Sequence, residues 1–337
     1  MKIRALAATA AKAKLTPFEF EFGSLGHDQI EIAVESCGVC HSDLSMLDNE
    51  WGMSAYPLVP GHEVVGTVAA AGAHVGKLKV GDRVGLGWFS GSCTTCKQCL
   101  GGDQNLCTTA EATIIGRYGG FAQRVRSQAA WATILPAGLD ASKAGPLFCG
   151  GITVFNPLVQ FDVRPTDRVG VVGIGGLGHL ALQFANKWGC EVFAFTSSAS
   201  KHAEAKSLGA HHAVTSTDDA ALAAMAGKLD FILVTASVPL NWPLFINALA
   251  PRGRLHFVGA VPEPVPVTIS SMLVGQRSLS GSPVGSPATM LDMIEFCGRH
   301  KIAAVTEDLP MSKANDAIER LRSGKARYRV VLQNDMR

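Results

Sequence analysis

Val171-Val172-Gly173-Ile174-Gly175-Gly176-Leu177-Gly178-His179 sets a G-x-G-x-x-G spacing between a short apolar run at 168–172 and a stretch of helical character at 179–188. In a strand–turn–helix of this kind Gly173 permits the tight turn, and Gly175, with Gly176 beside it, lets a pyrophosphate approach the backbone. Gly178 lets the helix pack closely, with its amino-terminal dipole facing the phosphates. A glycine-rich turn alone often serves packing. Here the flanking strand, the helix and a second strand at 192–195 supply the context of a dinucleotide site.

Outward from this motif the chain alternates. A helix is expected at 153–161, then strand 168–172, helix 179–188, strand 192–195, helix 201–208, strand 231–234, helix 243–249 and strand 254–258. Strand and helix in alternation mean a parallel, doubly wound sheet. Residues 1–150 differ: they are rich in glycine and valine, with strands at 30–34 and 64–71 and a turn at 79–84 leading into another strand. That half reads as a β-rich, barrel-like domain. Two helices, 288–300 and 311–323, and a last strand, 329–332, return to it. The expected organisation is therefore a first domain from 1–150 and 286–337, interrupted by a nucleotide-binding domain at 151–285.

The end of the second strand bears on which dinucleotide is bound. An acid about 20 residues after the glycine motif is the usual mark of NAD, since it binds the ribose 2′-hydroxyl. This chain has Phe195-Thr196-Ser197-Ser198-Ala199-Ser200-Lys201 there, and Glu191 lies at the other end of the strand. Ser197, Ser198 and Lys201 suit a 2′-phosphate, to which they offer hydrogen bonds and one positive charge without repulsion. The expectation is NADP(H); a polar loop with a solvated lysine is the plain alternative.

Chemistry beyond the nucleotide is marked by cysteine. Cys93, Cys96, Cys99 and Cys107 follow C-x2-C-x2-C-x7-C, a spacing that wraps one tetrahedral Zn²⁺. A pair of disulfides is the rival. The absence of a signal-like apolar segment and the odd total of nine cysteines favour metal and a reducing cytoplasm. Cys40, His62 and Cys149 are scattered potential ligands, enough for three bonds and an open fourth position. Cys190 and Cys297 sit in apolar contexts and read as core. His211-His212 has no cysteine nearby and reads as loop. With 337 residues, 47% hydrophobic, 17% charged and a net charge of +2, the chain is an ordered globular protein with no bias toward nucleic acid or acidic membranes. No apolar run reaches the roughly 18 residues of a spanning helix.

Cys37-Gly38-Val39-Cys40-His41-Ser42-Asp43-Leu44, Pro60-Gly61-His62-Glu63-Val64-Val65-Gly66, Gly81-Asp82-Arg83-Val84 and Leu147-Phe148-Cys149-Gly150-Gly151-Ile152-Thr153 occur in that order. With the four-cysteine lobe they resemble the zinc-dependent medium-chain alcohol dehydrogenases over essentially the whole chain. The likeness is greatest to the cinnamyl alcohol dehydrogenase branch and its bacterial aldehyde reductases. The resemblance implies a GroES-like catalytic domain with an inserted Rossmann domain, and two zinc ions per chain.

By the same resemblance Cys40, His62 and Cys149 hold the catalytic zinc, the ligand set known in alcohol dehydrogenases, and Glu63 is a neighbouring carboxylate able to join them. Asp43 would orient the His62 ring, and Ser42 would exchange a proton with the substrate oxygen. His41 would meet the cofactor pyrophosphate, with Arg329 reaching the same phosphates from the last strand, and Thr153 would line the nicotinamide side. The cysteines from Cys93 to Cys107 would hold a structural zinc. One departure is evident: many relatives continue the proton relay to a histidine three residues after the hydroxyl residue, and here that position is Ser45.

The implied reaction is reversible hydride transfer between NADP(H) and primary alcohols or aldehydes, with aldehyde reduction the cellular direction. Trp51 and Trp88 are candidate pocket walls suited to aromatic or medium-chain substrates, or else core indoles. Relatives are commonly homodimers joined through edge strands of the nucleotide domain, for which residues 278–282 offer a pairing strand. A polyol or sugar dehydrogenase is the chief competing substrate class. A non-catalytic zinc-binding relative and a zinc-free quinone reductase share the superfamily, and the presence of all the ligand residues weighs against both.

Overall fold

The computed structural model describes residues 1–261 and 263–336. The chain divides into two compact units, Met1–Ile152 together with the chain from Gly285 onward, and Thr153–Val284.

The first unit is mainly β. Its elements are β1 (Ile3–Ala7), β2 (Thr16–Phe20), β3 (Gln29–Val39), α1 (His41–Asp48), β4 (Glu63–Ala71), β5 (Arg83–Leu86), β6 (Phe89–Gly91), α2 (Lys97–Leu100), β7 (Glu111–Ala112), β8 (Arg124–Gln128), β9 (Ala132–Ile134), α3 (Ala141–Ala144) and the start of α4 (Gly150–Gln160). In β3 alternate side chains are buried from Ile30 to Val34, the period-2 signature of a strand with one wet face. β3 is the hub: its first half pairs with β8, its second half with the last strand of the chain, and its other edge with β4. Two register shifts in the β3–β4 ladder increase local twist, the usual way to bend a sheet around a core. That core includes Ile30, Ile32, Leu44, Met46, Val64, Leu86 and Phe121.

The second unit follows in strict alternation: β10 (Arg168–Val172), α5 (Gly178–Trp188), β11 (Glu191–Thr196), α6 (His202–Ser207), β12 (His212–Thr215), α7 (Asp219–Ala223), β13 (Leu229–Val234), α8 (Trp242–Ala248), β14 (Leu249–Phe257), α9 (Ile269–Gly275) and β15 (Ser278–Gly281). Its sheet runs β12-β11-β10-β13-β14-β15, every pair parallel. This is the order of a dinucleotide-binding sheet, with its switch point between β10 and β13. β10 and β13 are almost entirely buried, as a parallel sheet covered on both faces requires.

The chain then returns with α10 (Pro287–His300), β16 (Thr306–Pro310), α11 (Ala314–Arg322) and β17 (Arg329–Gln333), and β17 joins the first unit's sheet, antiparallel to β3 and parallel to β16. The helix expected over 311–323 is a short 3-10 turn, Met311–Lys313, followed by α11. His211-His212 is not simply loop: His212 opens β12, stacks on Phe193 with ring centroids 4.4 Å apart, and pairs with Glu191 at 2.8 Å.

Candidate functional site

Cys40 ends the loop after β3 and is the N-cap of α1. His62 and Glu63 stand at the start of β4, and Cys149 immediately precedes α4. These four, 109 residues apart at the extreme, bring their ligand atoms within 4.8 Å of one another in a buried cluster. The Sγ atoms of Cys40 and Cys149 are 3.8 Å apart and His62 Nε2 is 3.3 Å from Cys149 Sγ. Two thiolates on one tetrahedral zinc, each at about 2.3 Å, lie about 3.8 Å from each other, so the donor set has the dimensions and the chemistry for that ion.

Asp43 holds the arrangement rigid. Its Oδ1 takes His62 Nδ1 at 3.0 Å and the Gly61 amide at 2.8 Å, while Oδ2 takes the Cys40 amide at 2.9 Å. With Nδ1 so bound, Nε2 is the nitrogen that faces the sulfurs, the arrangement found behind metal-ligating histidines. Burial would depress His62, but the Asp43 charge and hydrogen bond outweigh it and hold the ring's affinity for a proton above the ordinary. Cys40 and Cys149 are joined sulfur to sulfur by a hydrogen bond. The hydrogen bond between them stabilises the Cys40 thiolate, with Arg329 adding positive potential, and raises Cys149. A cation seated here would replace the proton of that bond.

Glu63 is fully buried, and desolvation pushes its carboxyl up to about 7 against the pull of Arg329. Its Oε1 accepts a hydrogen bond from Arg329, and its Oε2 has no partner. Such an orphaned oxygen beside a ligand cluster is what a carboxylate able to reach a metal would present. Arg329, expected at the cofactor phosphates, is buried on β17, where its Nη2 donates to Glu63 and its Nε has no partner among the described residues. Nothing in the sequence signals this pair, whose members lie 266 positions apart.

Ser42 is half-buried with its Oγ 3.8 Å from Cys40 Sγ, and His41 is exposed at the first position of α1. Trp88 sets its ring edge-on to His62 at 4.9 Å, and Trp51 packs edge-on to Trp88 at 5.9 Å with 40% of its surface exposed. The two indoles form a wall beginning at the ligand cluster and running outward. Ser45, at the position where many relatives carry histidine, is buried and donates to Glu50 Oε2 at 2.7 Å. Cys37 is buried beside the cluster but outside it.

The four lobe cysteines form a second group within 4.8 Å. Cys93 Sγ lies 3.9 Å from Cys99 Sγ and 3.6 Å from Cys107 Sγ, again the edges of a tetrahedron. Backbone amides point at the sulfurs, Cys96 N to Cys93 and Cys99 N to Cys96. Amides of Thr95 and Cys96 bring Cys93 down to about 5, while burial pushes Cys99 up to about 11. The group can carry thiolate charge, and a divalent cation would let all four do so.

In the second unit the glycine turn has the shape its spacing predicts. Gly173 has φ +89°, and a Cβ there would meet Ala236 at 2.9 Å. A Cβ on Gly178 would lie 1.9 Å from the Gly173 carbonyl oxygen, so the helix could not seat with any larger residue. Gly175 faces open space, the room a pyrophosphate needs. Thr235 at the end of β13, a residue without a sequence signal, clamps the turn through its hydroxyl on the carbonyls of Val172 and Gly173. Past β11, Lys201 Nζ lies 3.4 Å from Ser197 Oγ, and Ser198 Oγ 2.8 Å from Ser200 Oγ, a hydroxyl- and cation-bearing rim with no carboxylate in its hydrogen bonds among the described residues. Thr153 is buried in α4.

Residues 26–137 match the alcohol dehydrogenase GroES-like domain family, and residues 176–299 the zinc-binding dehydrogenase family. The chain is 57% identical to aldehyde reductase AdhA of Synechocystis over 98% of its own length and 99% of that protein's. A cinnamyl alcohol dehydrogenase of Sorghum bicolor superposes with a TM-score of 0.94 at 36% identity, covering 99% of this chain and 98% of the other. An enzyme from Helicobacter pylori described as CAD and solved with NADP(H) superposes with a TM-score of 0.90 at 28% identity, covering 99% and 98%. With a GroES-like unit, a Rossmann unit and a relative of this closeness over its full length, the chain belongs to the zinc-dependent medium-chain alcohol dehydrogenases, in the cinnamyl alcohol dehydrogenase-like branch.

Proposed function

We propose that this chain is an NADP(H)-dependent aldehyde reductase that interconverts aldehydes and primary alcohols, with aromatic or medium-chain substrates preferred. The observation that carries the reading is the buried Cys40–His62–Cys149 tripod, with Asp43 locking the histidine and the Trp88–Trp51 wall leading away from it. When bound, zinc supplies a Lewis acid for the substrate oxygen and the nicotinamide supplies or accepts the hydride.

The protein's own groups do the rest. Cys40, His62 and Cys149 would hold the ion, with Glu63 available beside them, and Ser42 would hold the proton exchanged at the substrate oxygen. The indoles would position an apolar or aromatic body by its faces. Gly173, Gly175, Gly176 and Gly178 would admit the pyrophosphate at the head of α5, with His41 supplying positive charge and Thr153 a wall for the nicotinamide. Ser197, Ser198 and Lys201 would take the 2′-phosphate, a choice supported by the NADP(H) complex of the Helicobacter relative. Cys93, Cys96, Cys99 and Cys107 would hold a second, structural zinc, giving two ions per chain. In this assignment residues 1–150 and 286–337 form the catalytic domain and 151–285 the nucleotide-binding domain.

A homodimer is the assembly proposed. β15 has a neighbour on one side only among the described residues, and α9 just before it exposes Ile269, Leu273 and Val274. Among the described residues no helix is long and apolar enough to cross a membrane, and a cytoplasmic setting would keep the ligand thiols reduced.

The test is NADPH oxidation by zinc-replete protein against aromatic, aliphatic and sugar aldehydes. Preference for aromatic or medium-chain aldehydes is expected. Preference for sugar aldehydes would replace this reading with a polyol dehydrogenase, and no turnover of any aldehyde or alcohol would remove it.

A further inference from the structure

A surface cavity of about 640 Å³ lies in the first unit, walled by the turn at Asp28, the 74–78 loop, the end of β8, β9 and the start of α10. None of its residues belongs to the two ligand clusters or to the glycine turn. Its volume falls within the range of pockets that hold small organic molecules. Leu78, Ala130, Ile134 and Leu291 give it an apolar wall, on which Ile134 and Leu291 keep about half their surface exposed. Aliphatic surface left wet in a concave site is favourable to cover.

Two charges of opposite sign line the same cavity, Asp28 and Lys77. Neither forms an ion pair, with the other or with any further group, among the described residues. Backbone bonds nonetheless lace their segments together. His74 N donates to the His27 carbonyl, Gly72 N to the Gln29 carbonyl and Ala129 N to the Asp28 carbonyl, each at 2.8 Å. The carboxylate and the ammonium are thus carried on joined segments yet stay apart, which leaves room for a ligand that brings the complementary pair. A carboxylic acid would satisfy Lys77 and meet a like charge at Asp28, and an amine would do the reverse. A zwitterion with an apolar body matches both charges and the wall.

We propose that this cavity binds an α-amino acid with a large apolar side chain, its carboxylate on Lys77, its ammonium on Asp28 and its side chain against Ile134 and Leu291. The site also reaches the four-cysteine lobe. Gln128 lines the cavity and holds Ser92 from both sides, accepting from its amide at 2.8 Å and donating to its carbonyl at 3.1 Å. Ser92 immediately precedes Cys93, and Thr94, just after it, lines the cavity as well. A ligand that binds only the ordered state stabilises that state, so a bound amino acid steadies the lobe and slows its loss of metal. Binding is independent of the aldehyde reading, and the link to the lobe rests on the lobe carrying zinc.

The test is calorimetric titration of the zinc-loaded protein with L-phenylalanine, 3-phenylpropionate and 2-phenylethylamine, which share an apolar body and differ in charge. Phenylalanine should bind once per chain, and each singly charged analogue about tenfold or more weakly, the loss of one charge-assisted contact. Lys77→Met should weaken phenylalanine toward the level of the amine, and Asp28→Asn toward that of the acid. Leu291→Trp, which fills the cavity from an exposed helix position, should abolish binding. Melting temperature without ligand and aldehyde turnover should stay at wild-type values in all three variants. In the wild type, saturating phenylalanine should slow transfer of the lobe zinc to a chelating dye several-fold. Equal binding of the three probes, or no saturable heat with phenylalanine, would overturn the site. Binding that persists in Leu291→Trp, as it would if the amino acid were chelating a zinc ion, would overturn it too. An unchanged rate of zinc transfer would overturn the link to the lobe.

Discussion

Arg329, at the head of the last strand, and Glu63, at the head of β4, form a hydrogen-bonded ion pair buried beside the Cys40–His62–Cys149 cluster. Burying two opposite charges costs heavily, and their attraction offsets the cost only while both are present. Arg329→Leu leaves Glu63 and the neighbouring thiolate without their cation. Its expected cost is about 3–5 kcal/mol, read as a lower urea midpoint of the zinc-loaded protein. The double variant Glu63→Leu/Arg329→Leu should recover most of that loss. If Arg329→Leu unfolds at the wild-type midpoint, the pair contributes nothing to stability.

Asp43 commits both carboxylate oxygens to the metal site, on His62 Nδ1 and on the amides of Gly61 and Cys40. Asp43→Asn keeps the size but replaces one acceptor by a donor and removes the charge that favours the Nδ1-protonated ring. Zinc affinity at this site should fall about 10- to 100-fold, measured by competition with a chelating dye. The lobe zinc, held by other residues, should be retained at wild-type affinity. Equal affinity in variant and wild type at the tripod would show that the histidine needs no such support.

Local chemistry is legible in the chain, and long-range pairing is not. The glycine turn can be read because its strand, turn and helix are contiguous, and Gly178 against the Gly173 carbonyl is a clash within five residues that spacing alone encodes. The lobe cysteines are legible for the same reason. The tripod needs resemblance, since nothing local links Cys40 to Cys149 across 109 positions. The Arg329–Glu63 pair is invisible in the sequence because a cation's partner is chosen by the sheet, and only the β17–β3–β4 pairing carries it to Glu63. Strand β12 escapes notice because it is a short, half-buried edge strand beginning at a histidine pair, with no periodicity to reveal it. Thr235 acts through backbone carbonyls on a neighbouring strand, which no residue pattern announces.

The rim formed by Ser197, Ser198 and Lys201 makes the cofactor preference directly testable. Ser198→Asp puts a carboxylate where a 2′-phosphate would sit and offers an acceptor to a 2′-hydroxyl instead. Loss of a charge-assisted contact is worth about 1.5–3 kcal/mol, so the ratio of kcat/KM for NADPH to that for NADH should fall roughly ten- to a hundredfold. Lys201→Ala should move the ratio in the same direction with less effect on NADH. An unchanged ratio in Ser198→Asp would remove the NADP(H) assignment.

His256 makes the second unit sensitive to acid. It is buried on β14, with Nδ1 2.9 Å from Ser280 Oγ and Nε2 2.9 Å from Ser282 Oγ, so it ties the edge strand β15 to the sheet. Burial, with Arg254 adding like charge, lowers its pKa from 6.5 to about 4. The unfolded chain therefore binds a proton at pH values where the folded protein refuses it. Stability from this residue is complete above about pH 6.5 and is lost as pH falls toward 4, by at most about 3 kcal/mol. Urea midpoints at about pH 7, 5.5 and 4.5 should fall more steeply for the wild type than for His256→Gln, whose amide stays neutral throughout. Comparing slopes separates the titration from any constant packing penalty of the glutamine, and parallel slopes would mean that His256 is not the group responsible.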